Sequence, residues 1–412
     1  MEVIHPVIAG LDVHQETVVA SLRAQAKRGI KRDLKVFGTT TRDLLDLQAW
    51  LVEKGCPMVV MESTGVYWKP VFNILEGSVE VVLANAYQVK TLPGRKTDMR
   101  DAEWLADLGA HGLVRPSFIP PAPIRELREL TRYRKVLIRE RTSEVNRIQK
   151  LLETANIKLG CVVSDITGVS ALAMLRAMVG GARDPVLLAD MAKATLRKKK
   201  DQLVPALDGR FLDRHGFILG RMLDHMDYLN RQIDEISREV ERLCVPFDEA
   251  VTLLTTIPGV GPLTAQVILS EIGADMSRFP SAHHLASWAG VCPGNNESAG
   301  KRRTGRTRKG NRWLATALSE AAWAAARTKG TYLQSLFRRL AFAKGKGKKK
   351  ASVALSHSIL IAAWHILHGH LPYQDLGPEH FGHRDENRTK TLHIKRLESL
   401  GYRVTLEPIS AP

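Results

Sequence analysis

Four carboxylates stand out by type and position. Asp12 interrupts the apolar run VIAGLDVHQETVVASL, Glu62 lies in MVVMEST, and Asp98 and Asp101 are three residues apart in GRKTDMRDAEW. A spacing of three puts two side chains on one face of a helical turn. A carboxylate within a buried strand is costly unless a cation meets it or the chain turns there. If all four surround one small volume, they cannot all stay ionised without a compensating cation. Hard oxygen ligands and a phosphate substrate suit Mg²⁺, and two such ions flanking a phosphodiester stabilise its attacking and leaving oxygens. Asp12, Glu62, Asp98 and Asp101 are therefore the expected metal ligands. The same residues admit plainer roles, with Asp12 ending its strand in a turn and Asp98 capping a helix that has Asp101 in its first turn. Glu103 and Asp107 are expected to face solvent.

A second chemistry centres on Ser298 in AGVCPGNNESAGKRRTGRTRKGNRWLATAL, directly before seven Lys and Arg in twelve residues. A serine that attacks phosphorus needs a base or metal for its proton and fixed cations for the developing charge. Lys301, Arg302, Arg303, Arg306, Arg308 and Lys309 are the expected cations and the expected grip on nucleic acid. No histidine accompanies the serine, which disfavours Ser-His-Asp hydrolysis, and His283 and His284 are expected on a packed helix surface. A serine in a Gly- and Asn-rich loop is also an ordinary turn residue. Upstream, TTIPGVGPLTAQVILSEIG sets a Pro-Gly-Val-Gly turn between two helical segments, as in a helix-hairpin-helix element. There Gly259 and Gly261 would offer backbone amides to a phosphate, although such turns also join helices that bind no ligand.

The elements that must position these residues follow from periodicity. Apolar runs at Val7–Val13, Thr17–Leu22 and Leu34–Thr39 predict three successive strands of an antiparallel meander. RDLLDLQAWLVEKG has helical spacing and closes on Gly55. A fourth strand MVVMEST, a helix around Tyr67–Leu75, a fifth strand VEVVLA and a helix from about Asp98 to Gly112 complete the region. This is the order of a ribonuclease H-like fold, whose neighbouring first and fourth strands would set Asp12 beside Glu62. From Ile124 to Leu159 and from Phe217 to Leu243 the pattern turns long and helical. In the second stretch Leu219, Met222, Met226, Leu229, Ile233, Ile236, Val240 and Leu243 repeat at spacings of three and four, the seam of a coiled coil. The two helices are expected to pair with each other, with a second protomer, or both. The Arg-rich side of the first, RELRELTRYRKVLIRERTSEVNR, reads either as a solvated face or as a grip on a nucleic-acid backbone. Residues 162–214, with the basic run LRKKKDQL, receive no role.

Composition bounds the partners. The chain has 412 residues, 44% of them apolar, enough for two or three cores. Sixty Lys and Arg against 43 acids give a net charge of +17, which calls for a polyanionic partner. Nearly the whole excess lies between Ala299 and Lys350, with 16 Lys and Arg against one acid, Glu320. Four cysteines without CxxC spacing fit neither a zinc site nor a secreted disulfide framework, and with no signal peptide a cytoplasmic location is expected. The apolar stretch Ala351 to Leu371 is broken by Ser and His and reads as packed, so no membrane partner is expected. The expected class is α/β plus α: a sheet domain over 1–115, a coiled-coil region over 116–248, a mainly α-helical domain over 249–345, and a basic segment, helix and tail over 346–412.

These motifs, in this order, resemble the insertion-sequence-110 family of transposases, the RNA-guided bridge recombinases. AGLDVHQ resembles the first acid motif of that family's DEDD set, MESTG the second, and GRKTDMRDAEWLADL the third and fourth. IPGVGPLTAQVILSEIG, FPSAHHLASWAGVCPG and GKRRTGRTRKGNRWLATAL resemble its C-terminal transposase domain. The resemblance implies a RuvC-like metal site of Asp12, Glu62, Asp98 and Asp101 with Mg²⁺, and a catalytic serine that falls on Ser298. Here Ala299 and Gly300 follow that serine, where the family commonly has Ser-Gly. It implies strand transfer through a phosphoserine, and donor and target DNA chosen by a structured guide RNA. It also implies dimers that synapse into tetramers, with domains of different protomers completing each site. Two other functions fit the residues alone: a hydrolytic RuvC-like nuclease such as a junction resolvase, and a non-catalytic nucleic-acid-binding protein.

Overall fold

The computed structural model describes residues 2–26, 29–63, 65–85, 89, 101–294, 296–298, 301–305, 307, 309–343 and 347–406. The chain divides into two compact units, Met1–Ile119 and Pro120–Pro412.

The first unit is a five-stranded mixed sheet with helices on both faces. Its strands are β1 (Val7–Val13), β2 (Thr17–Ala26), β3 (Gly29–Gly38), β4 (Met58–Glu62) and β5 (Glu80–Ala84), in the order β3-β2-β1-β4-β5. The first three are antiparallel, and β4 and β5 add in parallel to β1. This is the ribonuclease H-like order expected from the sequence. Alternation along β1 sorts its side chains between two cores. Ala9, Leu11 and Val13 join Leu44, Leu47, Leu51 and Leu75 from α1 (Thr41–Glu53) and α2 (Trp68–Leu75). Ile8 packs on the opposite face with Val60, Leu105 and Leu108, the last two from α3 (Asp101–Ala110). One difference from expectation is the length of β3, which begins at Gly29 instead of Leu34. Its residues 29–32 are exposed, so no burial imprints an apolar alternation there.

The second unit is almost wholly helical. Two long helices, α4 (Ala122–Thr154) and α9 (Asp213–Cys244), form an antiparallel hairpin. Its middle is sealed by Leu137 against Leu229 and Ile233, and Arg141 reaches Asn230 at 3.3 Å. Pairing therefore occurs within one chain. The seam of α9 buries Leu219, Leu223, Met226, Leu229, Ile233, Val240 and Cys244, whereas Met222, Ile236 and Leu243 are only partly covered. A straight helix drifts against a seven-residue repeat, and the buried set follows the helix. Residues 159–207 form a helical tip, α5 (Leu159–Val162), α6 (Val169–Val179), α7 (Pro185–Asp190) and α8 (Lys200–Leu207), cored by Met174, Leu175, Met178 and Leu203.

After the hairpin come α10 (Asp248–Thr255), α11 (Pro262–Ile272), α12 (Ala282–Trp288), β6 (Asn296–Ser298), β7 (Lys301–Thr304), α13 (Arg312–Ala325), α14 (Tyr332–Arg338), α15 (Lys348–Gly369) and α16 (His380–Glu398). From Pro120 onward the segments expected at 116–248, 249–345 and 346–412 fall in this one unit, in which buried polar groups lock α4 onto α11. Glu271 is fully buried and accepts two hydrogen bonds from Arg132, both at 2.7 Å, and one from Asn311 Nδ2 at 2.6 Å. Arg128 donates to the carbonyls of Ser270 and Glu271, and Arg134 donates to Gln266. Burial pushes the Arg128 guanidinium down to about 10, still charged at neutral pH. Removing one partner of such a buried pair typically costs about 3–5 kcal/mol. Part of the Arg-rich side of α4 is thus neither a solvated face nor free to grip a backbone. Helix α15 is, among the described residues, the one long and apolar enough to cross a membrane. It buries Leu355, Ile359, Leu360 and Ala363 within this unit, with α12 and α13 among the helices packed on it.

Candidate active site

The sheet sets the first two acids side by side. Strands β1 and β4 pair in parallel with Leu11 opposite Met61, so Asp12 and Glu62, one residue further on, share a register position at the ends of both strands. By alternation they lie on the face of Ile8 and Val60, which α3 covers. The Asp12 side chain is 28% exposed, and His14 Nε2 lies 3.0 Å from its Oδ2.

Helix α3 runs antiparallel to β1 across this face. Its C-terminal end meets the start of the chain, where the Ile4 N–H donates to the Ala110 carbonyl at 2.8 Å. Nearer its N-terminus it presses directly on Gly10: a Cβ there would stand 2.0 Å from the Ala102 carbonyl oxygen and 2.5 Å from the Ala106 nitrogen. Asp101 precedes Ala102, so it opens the helix at the end of the sheet that carries Asp12 and Glu62. Glycine at position 10 is what lets the helix backbone come this close. Gly10→Ala is expected to destabilise the first unit by about 3 kcal/mol, the upper end for overpacking, because neither clashing atom belongs to a side chain that can rotate away. Thermal unfolding measures it, and an unchanged transition would mean that α3 does not press on β1.

Asp107 corrects the expectation of a solvent-facing acid. It accepts from Arg23 Nε at 2.9 Å and from Arg32 Nη2 at 2.8 Å, and its side chain is 20% exposed. The Arg23 side chain is 2% exposed, so an ion pair fastens the middle of α3 to β2 and β3. The signal available in the sequence was Arg23 itself, a charge at an inward-facing position of a strand.

Asp98 lies outside the described residues. Among the described residues no group of three or more His, Cys, Asp or Glu side chains is close enough to hold a metal ion. The donors present are carboxylate oxygens at two matched strand ends, with a third acid at the start of the crossing helix. That donor chemistry fits a hard divalent cation.

In the second unit Ser298 ends β6 in place of the expected loop, and pairs across a short hairpin with Lys301. Glu297 stands opposite Arg302. Arg303 is on β7, and Lys309 is exposed before α13, while Arg306 and Arg308 lie outside the described residues. His283 and His284 sit on the surface of α12, the second held 2.8 Å from the hydroxyl of Ser281, which caps that helix. The two turn glycines part company. Gly259 has φ +87°, and a Cβ on it would lie 2.4 Å from the Ala325 nitrogen and 2.5 Å from the Ala321 carbonyl oxygen of α13. Helix packing by itself accounts for a glycine at this position. Gly261 caps the N-terminus of α11 with open space around it, so it stays available for such a contact.

Family comparisons meet the chain at both ends of this description. The DEDD transposase model of IS110 type matches residues 9–157, and the model described as transposase IS116/IS110/IS902 family matches residues 251–338. The transposase for insertion sequence element IS1111A of Coxiella burnetii is 24% identical over 76% of this chain and 78% of its own length. The 43.6 kDa protein of insertion element IS110 from Streptomyces coelicolor is 29% identical over 56% of this chain and 61% of its own. The pilin gene-inverting protein of Moraxella bovis is 28% identical over 36% of this chain and 48% of its own. Among solved structures, Thermus thermophilus RuvC matches 28% of this chain and 85% of its own at 19% identity, with a TM-score of 0.18.

Proposed function

This chain belongs to the IS110 family of transposases and is a DNA recombination enzyme, and from that premise we propose how it cuts and rejoins strands. The observation that carries the reading is the shared register of Asp12 and Glu62 beside the helix that opens with Asp101. Asp12, Glu62, Asp98 and Asp101 would hold a divalent metal, Mg²⁺, whose chemistry is to stabilise charge on the phosphodiester oxygens. Ser298 is the nucleophile. A bond forms between its Oγ and phosphorus while the bond to one sugar oxygen breaks, and the serine proton is balanced by the hydroxyl left on that sugar. Attack by a second strand end reverses the ester in a new pairing, so no external energy source is required.

Lys301, Arg302, Arg303, Arg306, Arg308 and Lys309 neutralise the phosphates around this serine, and the open amides at Gly261 add a helix N-terminus. Donor and target DNA are chosen by base pairing to a structured guide RNA, so the protein reads shape and phosphate more than base edges. The working unit is a homodimer that synapses into a tetramer, acting in the cytoplasm.

Metal removal tests the reading. Circular DNA carrying the element's end, with its flanking RNA, should be nicked or joined in Mg²⁺ and left intact in EDTA, with activity restored by excess Mg²⁺. Scission that persists in EDTA would overturn the metal site.

A further inference from the structure

Helices α4, α11 and α13 enclose a cleft of about 270 Å³ on the second unit. Its walls include Arg132, Lys135, Ile138, Leu263, Val267 and Trp313. Trp313 is half-buried in the first turn of α13 and is surrounded by cations. The guanidinium carbons of Arg139 and Arg312 each lie 5.0 Å from its ring, and that of Arg132 lies 5.8 Å away. Two of the cleft's charges are neutralised by protein, Arg132 by Glu271 and Lys135 by Glu320. Arg139 and Arg312 are exposed and have no carboxylate within ion-pair distance among the described residues.

The cleft is also held in shape before any ligand arrives. Glu271 ties Arg132 of α4 to Asn311, and Asn311 Oδ1 accepts from the Trp313 and Leu314 N–H groups to cap α13. The indole and the two spare guanidiniums therefore sit on elements fixed to one another by a buried network. Both guanidiniums lie over the indole ring and are exposed, so a nucleobase that stacks on Trp313 takes their place there while they turn outward to its phosphates. Leu263 and Val267 give the cleft an apolar wall on one side. A base within a duplex offers no free face, so the ligand must be unpaired.

We propose that this cleft binds one unpaired nucleotide of a nucleic-acid strand, its base against Trp313 and its flanking phosphates on Arg139 and Arg312. The site needs no metal and involves none of the four acids or Ser298, so it stands or falls separately from the cleavage mechanism.

The test is binding of fluorescent oligonucleotides to the full chain in EDTA, across a salt series, with single-stranded DNA, single-stranded RNA and duplex DNA of one sequence. Trp313→Leu should weaken single-strand binding about tenfold, the usual scale of one lost base stack, with Trp313→Phe close to wild type. Arg139→Gln combined with Arg312→Gln should lower the slope of log affinity against log salt by about 1.4, two phosphate contacts on a single strand. Duplex affinity should hardly move. A loss confined to the DNA arm or to the RNA arm identifies the source of the strand. Variants that unfold normally yet bind every single strand like wild type would overturn the proposal, as would a duplex loss equal to the single-strand loss.

Discussion

Asp12→Asn is expected to reduce strand scission by a factor on the order of 10²–10³ or more, the scale set by removing one group that stabilises developing charge in a closed site. The substitution keeps shape and volume, and Asp12 is partly exposed, so folding should survive. Loss of the contact with His14 matters little, because that ring is 61% exposed and the pair is screened by solvent. In the absence of divalent metal, the Asn variant should melt at or above the wild-type temperature, since one like charge is removed from the strand end that also carries Glu62. Added Mg²⁺ should raise the wild-type melt more than that of the variant. Asp101→Asn should behave in the same way, as it opens the helix that closes on Gly10. Scission at the wild-type rate in either variant would remove the metal site from this end of the sheet and leave the acids as turn and capping residues.

Ser298→Ala should abolish a covalent protein–DNA adduct while binding persists. A serine that attacks phosphorus leaves an ester stable to denaturant, whereas a metal-activated water leaves free ends. Wild-type protein with Mg²⁺, DNA and the element's RNA should give a band that runs slowly on a denaturing gel and collapses after protease. The Ala variant should give none. Ser298 ends β6 opposite Lys301, so the loss of one hydroxyl at a strand end is not expected to disturb the hairpin. Two nearby serines serve as controls, and the structure separates them. Ser287 lies inside α12, and its Ala variant should be silent. Ser281 caps α12, so its Ala variant should lose about 1 kcal/mol of stability yet retain the adduct. An adduct in Ser298→Ala would move the nucleophile elsewhere. Scission by wild type with no adduct at all would point to a hydrolytic nuclease in the same fold.

The sheet and its acids were legible because strands report themselves twice, through apolar alternation and through turns. The expected order of the first five strands and three helices matched the structure, and with it the neighbouring positions of Asp12 and Glu62. The spacing of three and four likewise marked α9 as a long helix, since a helix that buries one stripe over 32 residues must repeat it. The family was legible as a resemblance, carried by the quoted motifs and their order. Where a pattern had no burial behind it, the reading failed: the exposed start of β3 carries no alternation, and so it was invisible.

What only the tertiary structure decided are the partners. An arginine, an aspartate or a glycine looks the same in sequence whether it faces water, a ligand or another helix. Asp107 is bound by Arg23, which is 84 residues away along the chain, and Gly259 is glycine because α13 passes against it. The arginines of α4 are divided in the same way: Arg132 closes on buried Glu271, while Arg139 remains exposed over Trp313. Local sequence fixes which element forms and which face is apolar, because those depend on neighbours within a few residues. The energy of a buried charge depends on groups brought close only by the whole fold, and so its role is written in three dimensions.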